Sequence, residues 1–511
     1  MILAVLAWTV AAGLAFLAAS ALGLRSWNRF AAAARGPVQL RLPRGDVPTA
    51  LDRIIGPAEA AHPGLNGLAP LIDPHEAFAA RAASVAAAGR SLDIISYIWA
   101  TDMTGHMLMA DLLAAADRGV RVRLLLDDVN VQGFDLAFLV LSQHPRIEVR
   151  LFNPLRSRGH WLRRGAEFLL GLSRFNRRMH GKVWIADGRV AILGGRNVAD
   201  GYFAAPGQGV RAVEDVDLIL SGPLVHDLED LFDSYWNLGL SLPILTLWPR
   251  IRLPTRRFRR RLVAKGRAAP ARDFRAACLR GRSAGEILAG RLRWTGDATL
   301  LADPPDKAFG QRRGMWMSDA IAAEVLATTH ELCLTTPYLV PGEAGRALLA
   351  GLAARGVAVR VLTNALSTTD LAAVHGAYSH YRMPLLRDGI ALHEFAPAGR
   401  AGPGRMLHSK VFVFDRSRAM VGSYNFDLRS SHTNIELGLL VGEPQTVAEL
   451  VALFDRQTAP DQAMTLAVRD GRLAWQVQDG AASRWALHEP GAGLLRRIAA
   501  RIIARLPHDL F

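Results

Sequence analysis

The stretches His180-Gly-Lys-Val-Trp-Ile-Ala-Asp187 and His408-Ser-Lys-Val-Phe-Val-Phe-Asp415 are two copies of one pattern, His-x-Lys followed by four residues and Asp. Each copy continues into small residues and then an asparagine at the same spacing. These are Gly194, Gly195 and Asn197 in the first copy, and Gly422, Ser423 and Asn425 in the second. Two copies that agree over this whole span predict a chain built from two related halves.

The first copy predicts a β-hairpin that gathers polar side chains on one surface. Apolar residues between Lys182 and Asp187 indicate a strand, and alternate positions place His180 and Lys182 on the same face. Asp-Gly predicts a turn, and the returning strand brings Asn197 back towards the histidine. Asp187 lies at the strand end, where we expect a mainly structural role, as for Asp415 in the second copy. The second copy repeats this arrangement, with Asp415-Arg-Ser at the turn.

If the halves pack about a pseudo-twofold axis, two His, two Lys and two Asn face one pocket. That set suits a phosphodiester. One histidine can attack phosphorus and form a phosphohistidine, while the other protonates the leaving alkoxide and then deprotonates the incoming alcohol or water. Lys182, Lys410, Asn197 and Asn425 would neutralise the phosphoryl oxygens. No cysteine or acidic cluster near either copy supplies metal ligands, so we expect no metal and no cofactor.

Each histidine in such a scheme needs a carboxylate on its far nitrogen to orient it and stabilise its charged form. Glu436 follows the second copy, and Asp215-Val-Asp217 lies in the equivalent strand of the first half. From this alignment we pair Glu436 with His408 and Asp217 with His180.

The duplicated motif resembles that of the phospholipase D superfamily, over roughly residues 45–480. Further stretches are similar to the C-type cardiolipin synthase group: Tyr97–Trp99, Arg118–Asp128, Arg146–Pro154, Phe175–His180, Thr363–Leu366, Val374–Tyr378 and Gly422–Ser430. The resemblance implies two similar α/β halves, each a mixed sheet flanked by helices. It also implies a metal-free reaction with His180 as the nucleophile and His408 as the general acid and base. Nothing in the residues alone distinguishes the two histidines.

Four residues are candidates for substrate contact, mainly through this resemblance: Ser423, Asn364, His375 and Tyr378. The last three also have a structural explanation. Asn364 ends a predicted strand, and His375 and Tyr378 lie on a predicted helix, where polar side chains often serve packing.

Composition describes a large, strongly basic chain. It has 511 residues, half of them hydrophobic, a net charge of +15 and a pI near 10.7. Such a charge predicts a polyanionic partner, either a membrane surface, anionic lipid or nucleic acid. Cys278 and Cys333 are the only cysteines, which excludes a disulfide framework or a structural zinc site.

The N-terminus predicts a membrane anchor. Residues 1–24 contain no charged side chain and are long enough to cross a bilayer core. A cleaved signal peptide is the alternative, but the basic residues that should precede its apolar part are missing. Arg25 and Arg29 follow the span, with Trp27 expected at the interface, and the positive-inside rule places the catalytic body in the cytoplasm. The predicted location is therefore the bacterial inner membrane.

The scaffold also repeats. Helices and strands alternate in both halves, and Arg118-Gly-Val-Arg-Val recurs as Arg355-Gly-Val-Ala-Val, which indicates two α/β sheets. The predicted organisation is an anchor (1–24), linker (25–75), first half (76–248), basic insert (249–300), second half (301–480) and basic amphipathic C-terminal segment (481–511). Three stretches mix arginines with apolar residues in a way typical of segments that lie on a bilayer. These are 156–178, 250–282 and 494–506, and each could instead be a solvated face.

The residues and the resemblance together favour a phosphatidyltransferase that makes cardiolipin from phosphatidylglycerol and a second phosphatidyl donor, phosphatidylglycerol or phosphatidylethanolamine. A phospholipase D that hydrolyses phospholipids to phosphatidic acid is one alternative. A phosphodiesterase or nuclease of the same superfamily is another. We expect anionic and zwitterionic phospholipids and the membrane surface as partners and no nucleic acid. Whether an accessory protein takes part is left open.

Overall fold

Two mixed β-sheets with matching strand order form the two halves of the computed structural model. The structure describes residues 2–131, 135–207, 209–248, 255–397, 404–479 and 482–504. Strands of the first part of the chain are β1 (Asn66–Leu71), β2 (Ser91–Ser96), β3 (Arg121–Asp127), β4 (Ile147–Phe152), β5 (Val183–Ala186), β6 (Val190–Gly194), β7 (Val213–Glu214), β8 (Asp217–Ser221), β9 (Ser241–Pro243) and β10 (Arg293–Thr295). Its helices are α1 (Ile2–Ala34), α2 (Ala50–Ala61), α3 (Pro74–Ala87), α4 (Met103–Asp117), α5 (Asp135–Leu141), α6 (Trp161–Leu170), α7 (Leu172–Phe175), α8 (Pro223–Trp236), α9 (Ile244–Leu247), α10 (Thr255–Gly266), α11 (Ala269–Leu279) and α12 (Ala284–Leu288).

The second part repeats this alternation. Its strands are β11 (Ala298–Ala302), β12 (Glu331–Thr335), β13 (Leu339–Val340), β14 (Ala358–Asn364), β15 (Ala391–Phe395), β16 (Met406–Leu407), β17 (Val411–Phe414), β18 (Arg418–Gly422), β19 (Phe426–Asp427), β20 (Leu437–Val441), β21 (Ala463–Arg469), β22 (Arg472–Asp479) and β23 (Ala482–Ala486). Its helices are α13 (Met317–Ala327), α14 (Gly342–Ala354), α15 (Ala372–Arg387), α16 (Leu428–His432), α17 (Pro444–Gln457) and α18 (Leu494–Ile503).

The two sheets have corresponding topologies. The first runs β10-β1-β8-β6-β5-β2-β3-β4-β9, and the second runs β11-β20-β18-β17-β12-β14-β15-β21-β22-β23. Both predicted motif strands form hairpins, β5 with β6 and β17 with β18. One apolar core contains side chains from both sheets, including Val183 and Leu218 of the first and Val411 and Leu439 of the second. The predicted pair of similar halves is confirmed, whereas the pseudo-twofold axis stays a prediction.

The motif aspartates hold each hairpin against the sheet, as predicted. The carboxylate of Asp187 accepts hydrogen bonds from the backbone N–H groups of Gly89, Arg90 and Ser91, at 2.7–2.9 Å. Asp415 does the same for residues 329–331, which lead into β12. Asp187 and Asp415 belong to the predicted catalytic set. Because both carboxylates bond to backbone at the strand ends remote from the histidines, their contacts support a positioning role.

Residues 25–75 are not a plain linker. They contain the end of α1, then α2, and then β1, which lies inside the first sheet between β10 and β8. Gly67 and Pro70 made β1 resemble a loop in the sequence. Proline is tolerated here because β10 pairs only with Asn66–Leu68, so Pro70 lies beyond its end.

The basic insert packs against the first half. Leu262 of α10 and Phe274 and Cys278 of α11 are buried in its core. β10 then joins the first sheet and β11 the second, so the chain passes between the halves at residues 296–297. The C-terminal helix α18 packs on α15, and Arg505 and Leu506 of that predicted stretch lie outside the described residues.

The N-terminal helix is longer than the predicted anchor. By length and composition, Trp8–Ala34 could cross a membrane, and side chains such as Trp8, Leu14 and Leu17 are exposed. Trp27 is not free to lie at a membrane interface. It is buried, its Nε1 donates to the carbonyl oxygen of Pro154, and the guanidinium of Arg174 lies 3.8 Å from its ring. The last turns of α1 therefore attach to the body.

Candidate active site

Each motif histidine is held by backbone of the opposite half. His408 N–H donates to Glu214 O at 2.8 Å, next to the pairing of β16 with β7. His180 N–H donates to Ile435 O at 3.0 Å. Each histidine thus bonds to a residue that leads into a strand of the other half. The two motifs therefore meet at the interface between the sheets.

The carboxylates that contact the histidines also come from the opposite half. His180 Nδ1 lies 2.9 Å from a carboxylate oxygen of Glu436, and His408 Nδ1 lies 2.7 Å from Asp215. The pairing of Glu436 with His408 and of Asp217 with His180 is therefore wrong. Asp217 instead bonds to the guanidinium groups of Arg81 and Arg196, away from both imidazoles.

Strand register explains the error. Gly194 lies opposite Asp217, and its counterpart Gly422 lies opposite Gly438. The residue that corresponds to Glu436 is therefore Asp215, two positions before the aspartate chosen from the sequence. The packing of the two sheets decides which histidine each carboxylate contacts, and sequence spacing does not show how the sheets pack.

Two buried lysines lie beside the histidines. Nζ of Lys182 donates to the carbonyl oxygen of His180, and Nζ of Lys410 donates to that of His408 and lies 3.2 Å from its Nε2. Burial, together with the positive charge of Lys410, lowers the pKa of Lys182 to about 7. Burial also lowers the pKa of Lys410 to about 8. Two ammonium groups held at a shared site favour an anionic ligand.

The two histidines differ in their electrostatic surroundings. Burial and the nearby lysines hold the pKa of His180 well below its usual value. Burial and Lys410 also lower the pKa of His408, whereas Asp215 acts in the opposite direction. Neutral imidazole is thus favoured at both positions before substrate binds.

The two carboxylates are also unlike each other. Glu436 accepts hydrogen bonds from Ser423, Ser430 and Asn434 in addition to its contact with His180. Burial still raises the pKa of Glu436. Burial alone would raise the pKa of Asp215 as well, but His408 and Lys410 outweigh it and the pKa is lowered. Ser423, a candidate for substrate contact, is therefore placed here to orient Glu436.

Aromatic rings cover one side of each imidazole. Tyr97 meets His180 edge-on at 4.7 Å between ring centroids, and Tyr202 meets His408 edge-on at 5.2 Å. The hydroxyl of Tyr202 accepts a hydrogen bond from Nδ2 of Asn197, whose Oδ1 accepts from Ile98 N–H. Sequence reasoning missed Tyr202, although its position shortly after the motif asparagine was a usable signal.

The second motif asparagine has a different environment. Oδ1 of Asn425 is buried and has no hydrogen-bond partner within the described part of the chain. Its backbone N–H donates to Ser430 Oγ. Both amide atoms of the Asn197 side chain are thus hydrogen-bonded within the fold, whereas Oδ1 of Asn425 is not.

Two further residues fix the backbone just before each histidine. Asp127, at the end of β3, accepts from Met179 N–H at 3.0 Å. Asn364, at the corresponding end of β14, accepts from Leu407 N–H at 3.0 Å and donates to Leu407 O at 2.8 Å. Asn364, predicted to contact substrate, is instead a positioning residue. The repeated Arg-Gly-Val sequence before both strands could have revealed this equivalence.

His375 and Tyr378 lie elsewhere. Both are buried on α15, where His375 lies 3.5 Å from Glu489 and the guanidinium of Arg382 lies over the Tyr378 ring. None of their contacts among the described residues reaches the motif histidines or lysines. The described residues also contain no group of three or more His, Cys, Asp or Glu side chains that could hold a metal ion.

Comparison with known proteins places this site in a family. A family model described as cardiolipin synthase, PLD-like domain, matches residues 83–236 and 321–458. Cardiolipin synthase C of Escherichia coli K12 is 35% identical over 477 residues, covering 88% of this chain and 97% of the relative. The chain belongs to the phospholipase D superfamily, in the family of PLD-like cardiolipin synthases. The predicted superfamily and type of enzyme, a phospholipase D-type phosphatidyltransferase, are thereby confirmed.

More distant proteins agree with this assignment. A cardiolipin synthase of Geobacillus kaustophilus is 25% identical over 384 residues, covering 75% of this chain and 64% of the relative. The crystal structure of a phosphatidylserine synthase from Haemophilus influenzae matches the fold with a TM-score of 0.56 at 13% identity. That match covers 88% of this chain and 96% of the other. This last likeness concerns the fold alone. Membership of the family and the apolar helix α1 together fit a membrane-associated protein that acts on phospholipids.

Proposed function

We propose that this chain makes cardiolipin by transferring a phosphatidyl group to the hydroxyl of phosphatidylglycerol, through a phosphohistidine at His180. The observation that carries the proposal is the pair of exchanged contacts, His180 with Glu436 and His408 with Asp215, around two buried lysines. The donor is phosphatidylglycerol or phosphatidylethanolamine. The name of the E. coli relative supports this choice of product.

Both half-reactions use the same two imidazoles. Nε2 of neutral His180 attacks phosphorus and the bond to the headgroup oxygen breaks. The imidazolium form of His408, which the bound phosphodiester anion and Asp215 stabilise, gives its Nε2 proton to that oxygen. The acceptor hydroxyl then loses its proton to His408 and attacks phosphorus, and the bond to His180 breaks. Both Nδ1 atoms face carboxylates, which leaves each Nε2 for chemistry. Lys182 and Lys410 would neutralise charge on the phosphoryl oxygens.

The unequal carboxylates support the choice of His180 as the nucleophile. A nucleophilic imidazole must be neutral at the start, and the low pKa of His180 meets that need. An acid and base must gain and lose a proton, and the anionic Asp215 stabilises the imidazolium form of His408. Glu436 divides its hydrogen bonds among three other side chains, so its support for a charged His180 is weaker.

Transfer requires that a lipid alcohol outcompete water for the phosphohistidine. Anchoring by α1 would keep the site beside a membrane in which phosphatidylglycerol is concentrated, which raises its effective concentration there. Water at the same position would give phosphatidic acid instead, and this hydrolysis is the second candidate function.

The test is lipid mass spectrometry after incubation of the purified full-length chain with phosphatidylglycerol vesicles, with and without phosphatidylethanolamine. We expect cardiolipin, none of it with His180→Ala, and a dependence on phosphatidylethanolamine would identify the donor. Phosphatidic acid alone would replace the proposal with hydrolysis. EDTA should leave the rate unchanged, and a loss that one metal ion restores would contradict the metal-free scheme.

We also propose that the catalytic body faces the cytoplasm from the bacterial inner membrane. Arg25 and Arg29 directly follow the apolar part of α1, which supports this orientation by the positive-inside rule. Protease treatment of right-side-out and inverted membrane vesicles tests it. Cleavage of the body only in inverted vesicles is expected, and cleavage in right-side-out vesicles would reverse the orientation.

A further inference from the structure

Helix α6 is attached to the body through its polar side. The carboxylate of Glu167 accepts hydrogen bonds from the backbone N–H groups of Arg156 and Ser157, at 2.8 and 2.9 Å. It also lies 3.7 Å from the guanidinium of Arg174. A charged residue is thus one of the inward contacts of this helix, which in a surface helix of a soluble domain are mostly apolar.

The outward face of α6 and the residue that follows it is apolar. Five large hydrophobic side chains are exposed there: Trp161, Leu162, Phe168, Leu169 and Leu172. Their spacing along the helix places them on one side, opposite Glu167. Trp161 is 80% exposed and Leu169 is 55% exposed, and only Phe168 of the five has a described ring contact, a stack on Phe175, so folding leaves most of this side open. A contiguous apolar surface of this kind indicates a binding surface.

The neighbouring helix α1 indicates what covers that surface. Leu170 of α6 lies beside Gly23 of α1, next to the first charged residue of the chain, Arg25. Trp27 and Ala31 of α1 pack on the body, whereas the exposed apolar segment of the helix ends at Leu24. Helix α6 therefore lies at the level where α1 leaves the body. If α1 enters a bilayer, that level is the headgroup layer.

Another basic stretch of the chain lacks this arrangement. Helix α10 also carries many arginines, but its apolar residue Leu262 is buried against the first half. Its most exposed side chains are charged, as at Arg256, Arg257 and Arg260. Net positive charge is thus common to both helices, and of these two helices α6 alone combines it with an outward apolar face.

We propose that α6 is a second membrane-binding element, which lies in the headgroup layer of the bilayer that α1 enters. Its outward apolar side chains would be buried among the upper acyl chains, and the exposed Arg163 and Arg164 would contact anionic phospholipid phosphates. The chain continues from α6 through α7 to His180, and Asn153 clamps this connection by donating to Arg174 O and Arg177 O. Seating α6 on the bilayer would therefore give the catalytic body a second membrane contact beside α1.

The test places a fluorescent probe on each helix of the full-length chain. Both native cysteines are buried, so Leu169→Cys on α6 and Arg260→Cys on α10 can be labelled selectively with an environment-sensitive dye. After reconstitution into phosphatidylglycerol-containing vesicles, a quencher at the upper acyl chain should quench the probe at 169 on the order of threefold more than the probe at 260. Equal, solvent-like signals would overturn the proposal. If the quencher has no effect and the labels at 169 of two copies lie close together, the apolar face binds a second copy of the chain and not the membrane.

A matched pair of charge variants separates the surface from net charge. Arg163→Gln/Arg164→Gln on α6 and Arg256→Gln/Arg257→Gln on α10 remove the same number of exposed arginines. Only the first pair should reduce the rise in quenching at 169 that follows addition of phosphatidylglycerol to phosphatidylcholine vesicles. An equal reduction by both pairs would attribute binding to overall charge and contradict a specific role of α6. None of these residues contacts the histidine site, so the measurement is independent of catalysis.

Discussion

Each half places its histidine before a β-hairpin of the same type, but the carboxylates beside the two histidines differ. The first-half histidine faces a glutamate that also accepts hydrogen bonds from Ser423 and Ser430, whereas the second-half histidine faces Asp215, whose pKa is lowered. Both carboxylates come from the opposite half. Duplication therefore supplies the geometry, and substitutions within the duplicated frame give the two imidazoles different roles.

Removal of the carboxylate behind the acid and base should have the greatest consequence for turnover. Asp215→Asn should lower kcat about 10³-fold, because the imidazolium form of His408 loses its stabilising charge. The matched control is Asp217→Asn, two residues away on the same segment. It should retain most of the activity but lower the free energy of unfolding by about 3 kcal/mol, since Arg81 and Arg196 lose their charged partner. Steady-state kinetics and thermal melts distinguish them, and equal kinetic losses would contradict the corrected pairing.

The value of kcat/KM should decrease at alkaline pH. A lysine is charged below its pKa and loses that charge as pH rises through it, and the pKa values are about 7 for Lys182 and about 8 for Lys410. We expect kcat/KM to decline by about tenfold per pH unit above about pH 7, where Lys182 loses its charge, and more steeply above about pH 8, where Lys410 also loses its charge. Lys410→Arg should remove the steeper part of the decline above about pH 8, because arginine stays charged. A rate that keeps rising to pH 10 would show that neither ammonium is required.

Loss of the other carboxylate should cost less. Glu436→Gln should lower kcat about tenfold, because His180 acts in its neutral form and an amide can still hold its Nδ1. The measurement is kcat of Glu436→Gln and of Asp215→Asn under identical conditions, each relative to the unchanged protein. If the glutamate variant is the more damaged one, the roles of the two histidines are reversed.

The residues that hold the backbone before each histidine should affect stability more than chemistry. Asn364→Asp removes the donor to Leu407 O and should lower the free energy of unfolding by about 2 kcal/mol. Asp127→Asn keeps an acceptor for Met179 N–H and should cost less. Chemical denaturation measures both changes. A large loss of kcat without a change in stability would place Asn364 in substrate contact after all.

The sequence predicted the parts of the fold that depend on local pattern. The two hairpins, the repeated Arg-Gly-Val strands and the structural role of Asp187 and Asp415 follow from periodicity, turn residues and duplication. β1 was missed because its glycine and proline resemble a loop, and only the incomplete pairing of β10 makes them acceptable there.

The rest of the site depends on contacts between the halves. Glu436 and Asp215 each face the histidine that is remote in sequence. The strand register, with Gly194 opposite Asp217 and Gly422 opposite Gly438, makes Asp215 and not Asp217 the counterpart of Glu436. Tyr202 covers His408 from the first half. Such contacts arise from packing of one sheet against the other, and one sequence carries no direct record of that packing.

The most direct test of unequal histidines is the intact mass of single variants after exposure to a phosphatidyl donor with a good leaving group. The leaving group needs no proton from His408, so His408→Ala should accumulate protein heavier by one phosphatidyl group, while His180→Ala should gain no mass. An adduct on His180→Ala but not on His408→Ala would contradict the account and assign the nucleophile to the second half.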